Sequence, residues 1–182
     1  MKFIYEKITK ENLELGLKIQ NDIFPTESAK EQYNLSINGT DDFLIMEYYI
    51  VYSKDDLDNC DAIGVTGLYV YKNFPDDVWV GYYGVISKYR NKGYGTQILI
   101  DTEEMARSKM YKHLRLYTNK ILFNDAYRLY KRLGFTEEKY TNFPHKLGDV
   151  IMENEVVFSK NLVGREVELW DNRLIIDFEL FH

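Results

Sequence analysis

Apolar residues recur along this chain with two periods, and each change of period marks a boundary between elements. Phe3 to Thr9, Phe43 to Tyr52 and Ala62 to Tyr71 are dense in β-branched and aromatic residues and predict strands. Between the first two, Leu13, Leu17 and Ile19 or Gln20 fall at helical spacing behind Thr9, Glu11 and Asn12, which predicts a helix capped at Thr9 and stopped by Pro25. A weaker helix is expected from Ser28 to about Ile37, ended by Asn38-Gly39. Lys54 to Asp61 is charged and reads as a loop, and Asn73 to Asp76 as a turn. Val78 to Ile86 is apolar or aromatic almost throughout, the pattern of a strand buried on both faces. Its internal glycines, Gly81 and Gly84, admit two readings, a bulge or a tight packing of the sheet against a helix.

Helical spacing returns with Ile98, Thr102, Met105, Ala106 and Lys109, predicting a helix from about Tyr94 to Lys109. Lys112 to Thr118 then alternates, with Leu114 and Leu116 on one face and Arg115 and Tyr117 on the other. Ala126, Leu129, Tyr130 and Leu133 fall at i, i+3, i+4 and i+7 of a further helix, closed by Gly134. Thr136 to Tyr140 and Val150 to Lys160 supply a last pair of strands. About seven strands and four helices in this order make an α/β (α+β) chain.

At 182 residues the chain needs only one domain, 1–162, with 163–182 as an extension of it. That extension is expected to form a hairpin turning at Asp171-Asn172 with Trp170 facing Leu174, either an edge of the sheet or a strand exchanged with a second subunit in a homodimer. A net charge of -6 argues against nucleic acid as the main partner and weakly favours a cationic one. Sixteen tyrosines suit either a β-rich core or an aromatic cleft. The one cysteine, Cys60, has no internal disulfide partner and reads as a reduced structural residue, and three scattered histidines suggest no metal site. Neither a signal peptide nor a membrane span is legible, so a cytoplasmic protein that does not enter the membrane is expected.

The chemistry concentrates at Val85-Ile-Ser-Lys-Tyr-Arg90-Asn-Lys-Gly93-Tyr-Gly95-Thr96, where the central strand gives way to a helix. Gly93 and Gly95 allow a tight turn and a close ligand, the first helical amides point outward, and Lys88, Arg90 and Lys92 add cations, a combination that suits phosphate. The run has neither the G-x-x-x-x-G-K-[ST] of a Walker loop nor the third glycine of a dinucleotide loop, since position 98 is Ile98. Arg90 to Gly95 spells R-x-x-G-x-G, which resembles the acyl-CoA loop [QR]-x-x-G-x-[GA] of the GNAT superfamily of N-acetyltransferases. Asn124-Asp-Ala126-Tyr-Arg-Leu129-Tyr130-Lys-Arg-Leu-Gly134-Phe135 looks like the family's other hallmark, N-x-x-A-x-x-L-Y-x-x-x-G-F, one helix and one strand further on.

The resemblance implies a mixed, mostly antiparallel sheet in which a bulged central strand splays from its neighbour and leaves a wedge for acetyl-CoA. Gly84 and Val85 would bond the pantetheine arm, and Arg90, Asn91, Lys92, Gly93, Tyr94, Gly95 and Thr96 would hold the diphosphate. The Val85 amide would serve as oxyanion donor and Tyr130 as general acid toward sulfur, although Tyr130 at helical spacing also suits plain core packing. Asn124 would bond the cofactor or cap its helix. Where several relatives carry a glutamate, eleven residues before the loop arginine, this chain has Trp79. Asp76, Asp77, Glu47 or a water chain past Tyr82 and Tyr83 are the substitutes for a base. Two functions stay open, an N-acetyltransferase acting on a small-molecule or peptide amine, and an acyl-CoA-binding sensor without efficient turnover.

Overall fold

The computed structural model describes residues 2–56, 59–139, 154–164 and 166–171. Its elements run β1 (Phe3–Lys7), α1 (Leu13–Ile23), α2 (Lys30–Asn38), β2 (Phe43–Asp56), β3 (Asn59–Tyr71), β4 (Asp77–Val80), β5 (Gly84–Val85), α3 (Tyr94–Ser108), β6 (His113–Asn119), α4 (Asn124–Arg132), β7 (Thr136–Lys139) and β8 (Glu155–Asn161). The sheet order is β1-β2-β3-β4-β6-β8-β7, with β5 added to β3. Only β4 and β6 pair in parallel; the other pairings are antiparallel.

Both faces of this sheet are covered, which is why β4 reads as an unbroken apolar run. On one face Trp79, Tyr69, Tyr48 and Ile50 pack with Ile19 of α1 and with Ala29 and Tyr33 at and in α2. On the other, Val78, Val80, Leu114 and Leu116 pack with Leu99 and Ala106 of α3 and Leu129 and Tyr130 of α4. The alternation expected in β6 therefore holds, and its second face is also buried: Arg115 is fully enclosed. Its guanidinium donates to Asp77, to Ser159 Oγ (2.6 Å) and to the Glu168 carbonyl (2.9 Å), with Trp170 at 5.4 Å from its carbon. Trp170 itself is buried at right angles to Trp79, ring centroids 5.0 Å apart. Residues 166–170 thus lie against the sheet in irregular conformation. The hairpin expected from Asp171 onward falls, with Leu174, outside the described residues.

Several boundaries differ from the sequence reading for identifiable reasons. β2 and β3 pair from Phe43↔Tyr71 to Asp56↔Asn59, so the charged stretch expected as a loop is mostly ladder, where backbone bonds outweigh side-chain polarity. Cys60 is exposed on β3 rather than a structural core residue. α1 begins four residues after Thr9 because Asn12 makes the turn, its side chain accepting from the Thr9 amide (2.8 Å) and donating to the Lys7 carbonyl (3.1 Å). Val150 and Met152, expected in the last strand, lie outside the described residues. No described helix is long and apolar enough to cross a membrane.

The central strand is not continuous. β4 meets β3 at Tyr69↔Trp79 and Leu68↔Val80, whereas β5 meets it at Val65↔Gly84 and Gly64↔Val85. Three steps along β3 therefore face four along the other strand, which is one surplus residue and so a bulge. Tyr82 takes it up in a left-handed conformation (φ 35°). Gly64 accommodates the result, since a Cβ there would overlap the carbonyl oxygen of Gly84. Gly64→Ala is expected to destabilise the fold by roughly 1–3 kcal/mol, the usual range for overpacking, measured by urea denaturation.

Candidate functional site

The bulge decides what happens beside it. β4 and β6 pair from Asp77↔His113 to Trp79↔Arg115 and no further. Beyond that, β6 stays with β8 while the other chain turns toward β3 as β5. A wedge opens between them at the carboxyl ends of the two parallel strands. The Ile86 amide donates to the Ile63 carbonyl of β3 (2.9 Å), so strand alternation turns the Val85 amide and carbonyl the other way, into the wedge. The Val85 carbonyl accepts from Arg90 Nε at 3.0 Å.

The loop after β5 forms one 3-10 turn at Ser87–Tyr89 and then two left-handed residues, Asn91 (φ 61°) and Gly93 (φ 80°). Such alternation curls successive amides toward one point. Gly93 caps α3 with no side chain bonded to the first-turn amides, and Gln97 is the residue that donates back to the Gly93 carbonyl (3.1 Å). The amides of Tyr94, Gly95 and Thr96 are left without intrahelical acceptors at the positive end of the helix. Tyr83 from the bulge crosses to this turn, its hydroxyl donating to the Gly95 carbonyl (2.5 Å); a Cβ at Gly95 would come within 3.0 Å of that hydroxyl. Of the expected cations, Arg90 spends its Nε on Val85, while Lys88 and Lys92 flank the Tyr89 ring at 4.9 and 5.3 Å. Backbone amides, more than side chains, form the cradle.

Deeper in the wedge a cavity of about 360 Å³ is lined from three directions. α4 contributes Tyr130 and Ala126, the bulge Gly81, Tyr82 and Tyr83, and the link between α1 and α2 Phe24 and Glu27. Tyr130 is held by Phe158 (5.5 Å), Phe135 (6.0 Å) and Tyr83 (6.3 Å), and burial raises its phenol well above its ordinary value, so it stays protonated at neutral pH. Core packing and access to the cavity are thus both true of Tyr130. Asn124 lies elsewhere: exposed, it donates to the Lys120 carbonyl (3.1 Å) and does not line the cavity. It stands two residues before Ala126, one fewer than the family pattern, so Phe123 occupies the patterned position and reaches Phe24 across the cavity mouth (6.1 Å).

The substitute bases are engaged away from the cavity. Asp77 is buried against Arg115, Asp76 pairs with Lys112 (2.8 Å), and Glu47 pairs with Lys7 and Lys109. Trp79, at the place of the relatives' glutamate, is fully buried. Two carboxyls do reach the cavity, Glu27 and Glu155, the latter opposite Asn119 across β6 and β8. One Glu155 oxygen accepts from Asn119 Nδ2 (3.0 Å), and only 7% of the residue is exposed. Burial pushes it up to about 7, against the pull of the Asn119 hydrogen bond and with the charge of Glu27 adding to the rise. Nothing in local sequence spacing marks Glu155, because its setting is made by a strand partner thirty-six residues away.

An amide nest at a helix start, a strand bulged off its parallel neighbour and a tyrosine at the wedge define the architecture of an acyl-CoA-dependent N-acyltransferase. The family model for the acetyltransferase (GNAT) family matches residues 13–135, and the chain belongs to that family. The match ends before β8 and Glu155. No curated protein matches the chain. Solved structures resemble it at the level of fold. An acetyltransferase of the GNAT family from Staphylococcus aureus Mu50 is 17% identical with a TM-score of 0.64, covering 88% of this chain and 99% of that one. The ribosomal-protein-S18-alanine N-acetyltransferase of Escherichia coli is 14% identical (TM-score 0.65; 93% and 99%). Arabidopsis thaliana NAA60 in complex with acetyl-CoA is 17% identical (TM-score 0.62; 90% and 100%).

A carboxyl whose folded value is raised binds its proton more tightly in the native state, so its stabilising contribution is present below the ordinary value of 4.5 and is lost as pH rises through about 7. Glu155→Gln is therefore expected to be more stable than the parent at pH 8.5 by roughly 3–4 kcal/mol, at ~1.4 kcal/mol per pKa unit. That gain should shrink toward zero below about pH 5 in urea denaturation series.

Proposed function

We propose that this protein is an N-acetyltransferase that moves the acetyl group of acetyl-CoA directly to a primary amine of a small molecule or peptide. Family membership supports the class of reaction. The observation that carries it to this chain is the alignment, along one wedge, of the α3 amides, the inward-facing Val85 amide and the Tyr130 phenol. The residues fit the cofactor on their own geometry: uncapped amides suit a diphosphate, and the peptide edge freed by the bulge suits an amide-bearing arm. The single exposed thiol is at home in a reducing compartment such as the cytoplasm.

Acetyl-CoA supplies a thioester carbonyl open to attack by an amine. The nest at Asn91–Thr96 anchors the diphosphate and fixes the depth to which the acyl end reaches. The Val85 amide donates to the carbonyl oxygen as negative charge gathers there, in a site walled from bulk water where such a bond is strongest. Tyr130 gives its proton to the departing sulfur. Tyr83, fastened to Gly95, keeps the bulge and the start of α3 in one register. Glu155 in the cavity wall supports turnover over an acyl-CoA sensor that has lost its base.

Tyr130→Phe is expected to lower amine-dependent thiol release from acetyl-CoA about 100-fold, within the range for loss of a general acid. Coenzyme A binding by calorimetry should change little. Equal loss of binding and turnover would make Tyr130 a packing residue only, and absence of heat with coenzyme A would remove the enzyme assignment altogether.

A further inference from the structure

The acceptor half of the cavity has an unusual charge balance. Glu27 and Glu155 both line it, and the described lining residues include no Lys, Arg or His. Glu155 enters from β8 and Glu27 from the link between α1 and α2. Among the described residues, Asn119 occupies one Glu155 oxygen. Around them stand aromatic rings from three elements, Phe24, Phe123 and Tyr82, the first within 6.1 Å of the other two. Two carboxyl groups with no countercharge among the described lining residues, set among aromatic and apolar side chains, form the complement of a cation rather than of a neutral or acidic acceptor.

We propose that the acceptor is a small linear amine with two cationic nitrogens, one delivered to Glu155 for acetylation and the other held by Glu27. This rests on the acetyl-transfer reading above. Glu155 takes one proton from the reacting ammonium. The freed lone pair forms the C–N bond at the acetyl carbon as the C–S bond breaks, and sulfur takes the phenolic proton of Tyr130. Tyr130 regains a proton from the acylated nitrogen, so the products are an acetamide, the free thiol and one proton leaving through Glu155. The groups facing Glu155 are Asn119 and Tyr117 from β6, Glu27, and Tyr82 from the bulge; of these, Glu27 acts on it by charge and raises its proton affinity. Its ordinary value would leave it a weak acceptor, whereas near neutrality it matches the task. The second nitrogen stays protonated against Glu27, whose carboxyl burial also raises in the empty cavity.

The test compares 1,4-diaminobutane with butylamine, which have the same carbon chain and differ in the second charge. In the parent protein the diamine should show kcat/KM about tenfold or more higher, the worth of one charge-assisted contact. Glu27→Gln should remove the diamine's advantage, bringing the ratio of the two kcat/KM values to about one, whereas a merely structural role for Glu27 would slow both amines alike and leave that ratio standing. Glu155→Gln should lower kcat for both and abolish the acid limb of kcat/KM near pH 7, with Glu155→Asp restoring part of that limb. Equal rates for both amines in the parent would overturn the two-nitrogen acceptor while leaving acetyl transfer intact. An unchanged acid limb in folded Glu155→Gln would overturn its proton-accepting role. Coenzyme A binding without thiol release from any amine would instead sink the transferase reading on which both depend.

Discussion

A single surplus residue between Val80 and Gly84 governs this molecule. A strand paired without interruption on both sides would bury every backbone amide in ladder bonds and leave a ligand nothing to grasp. By slipping the register against β3 by one, the chain separates β5 from β6 and leaves the Val85 amide facing an opening. The energetic penalty is local. It consists of one tyrosine at φ 35° and two glycines, 64 and 84, pressed so close that neither tolerates a side chain. Everything functional follows from that opening: where the amides of α3 look, how Tyr130 reaches the interior, and why β8 borders a cavity.

The two ends of the β4–β6 pair solve the burial of charge in opposite ways. At the amino-terminal end Asp77 and Arg115 are enclosed together, with Ser159 and the Glu168 carbonyl accepting further guanidinium hydrogen bonds. That network pairs the buried charges and binds the segment around Trp170 to the sheet. At the carboxyl end Glu155 has an amide for company and Glu27 across a cavity. Incomplete satisfaction there is what makes the carboxyl reactive and the cavity selective. The closed end carries stability, and the open end trades some of it for chemistry.

Much of this was readable from residue order. The strand-to-helix change at Gly93, the two-faced burial of β4 and the run of Ala126, Leu129 and Tyr130 rest on local period and glycine geometry, and they reappear in the structure nearly residue for residue. What escaped depends on partners distant in sequence. Glycines at 81 and 84 pointed to a bulge, yet the strained residue is Tyr82 between them, because the twist falls where the register changes and not where a side chain is absent. Asn124 matched by residue type but stands one place off, and on a helix one place is a rotation of about 100°, enough to take it out of the cavity and bring Phe123 in.

Glu155 is the sharper instance. A glutamate at the start of an edge-proximal strand looks like a solvated charge, and only the pairing of Asn119 with it reveals otherwise. Proton-transfer chemistry in a splayed sheet asks for a carboxyl near the wedge but not for any particular strand to carry it. Once Trp79 fills the core position on β4, stacked on Tyr69 and at right angles to Trp170, a charge there would be buried without relief. The neighbouring strand across β6 is then a position that reaches the same cavity and still meets a hydrogen-bond donor. In the proposed mechanism the place of the base on β8 thus follows from how this core is packed, and the acceptor's charge preference follows with it, because the carboxyl proposed to take the proton also sets what sign of ligand the aromatic cavity favours.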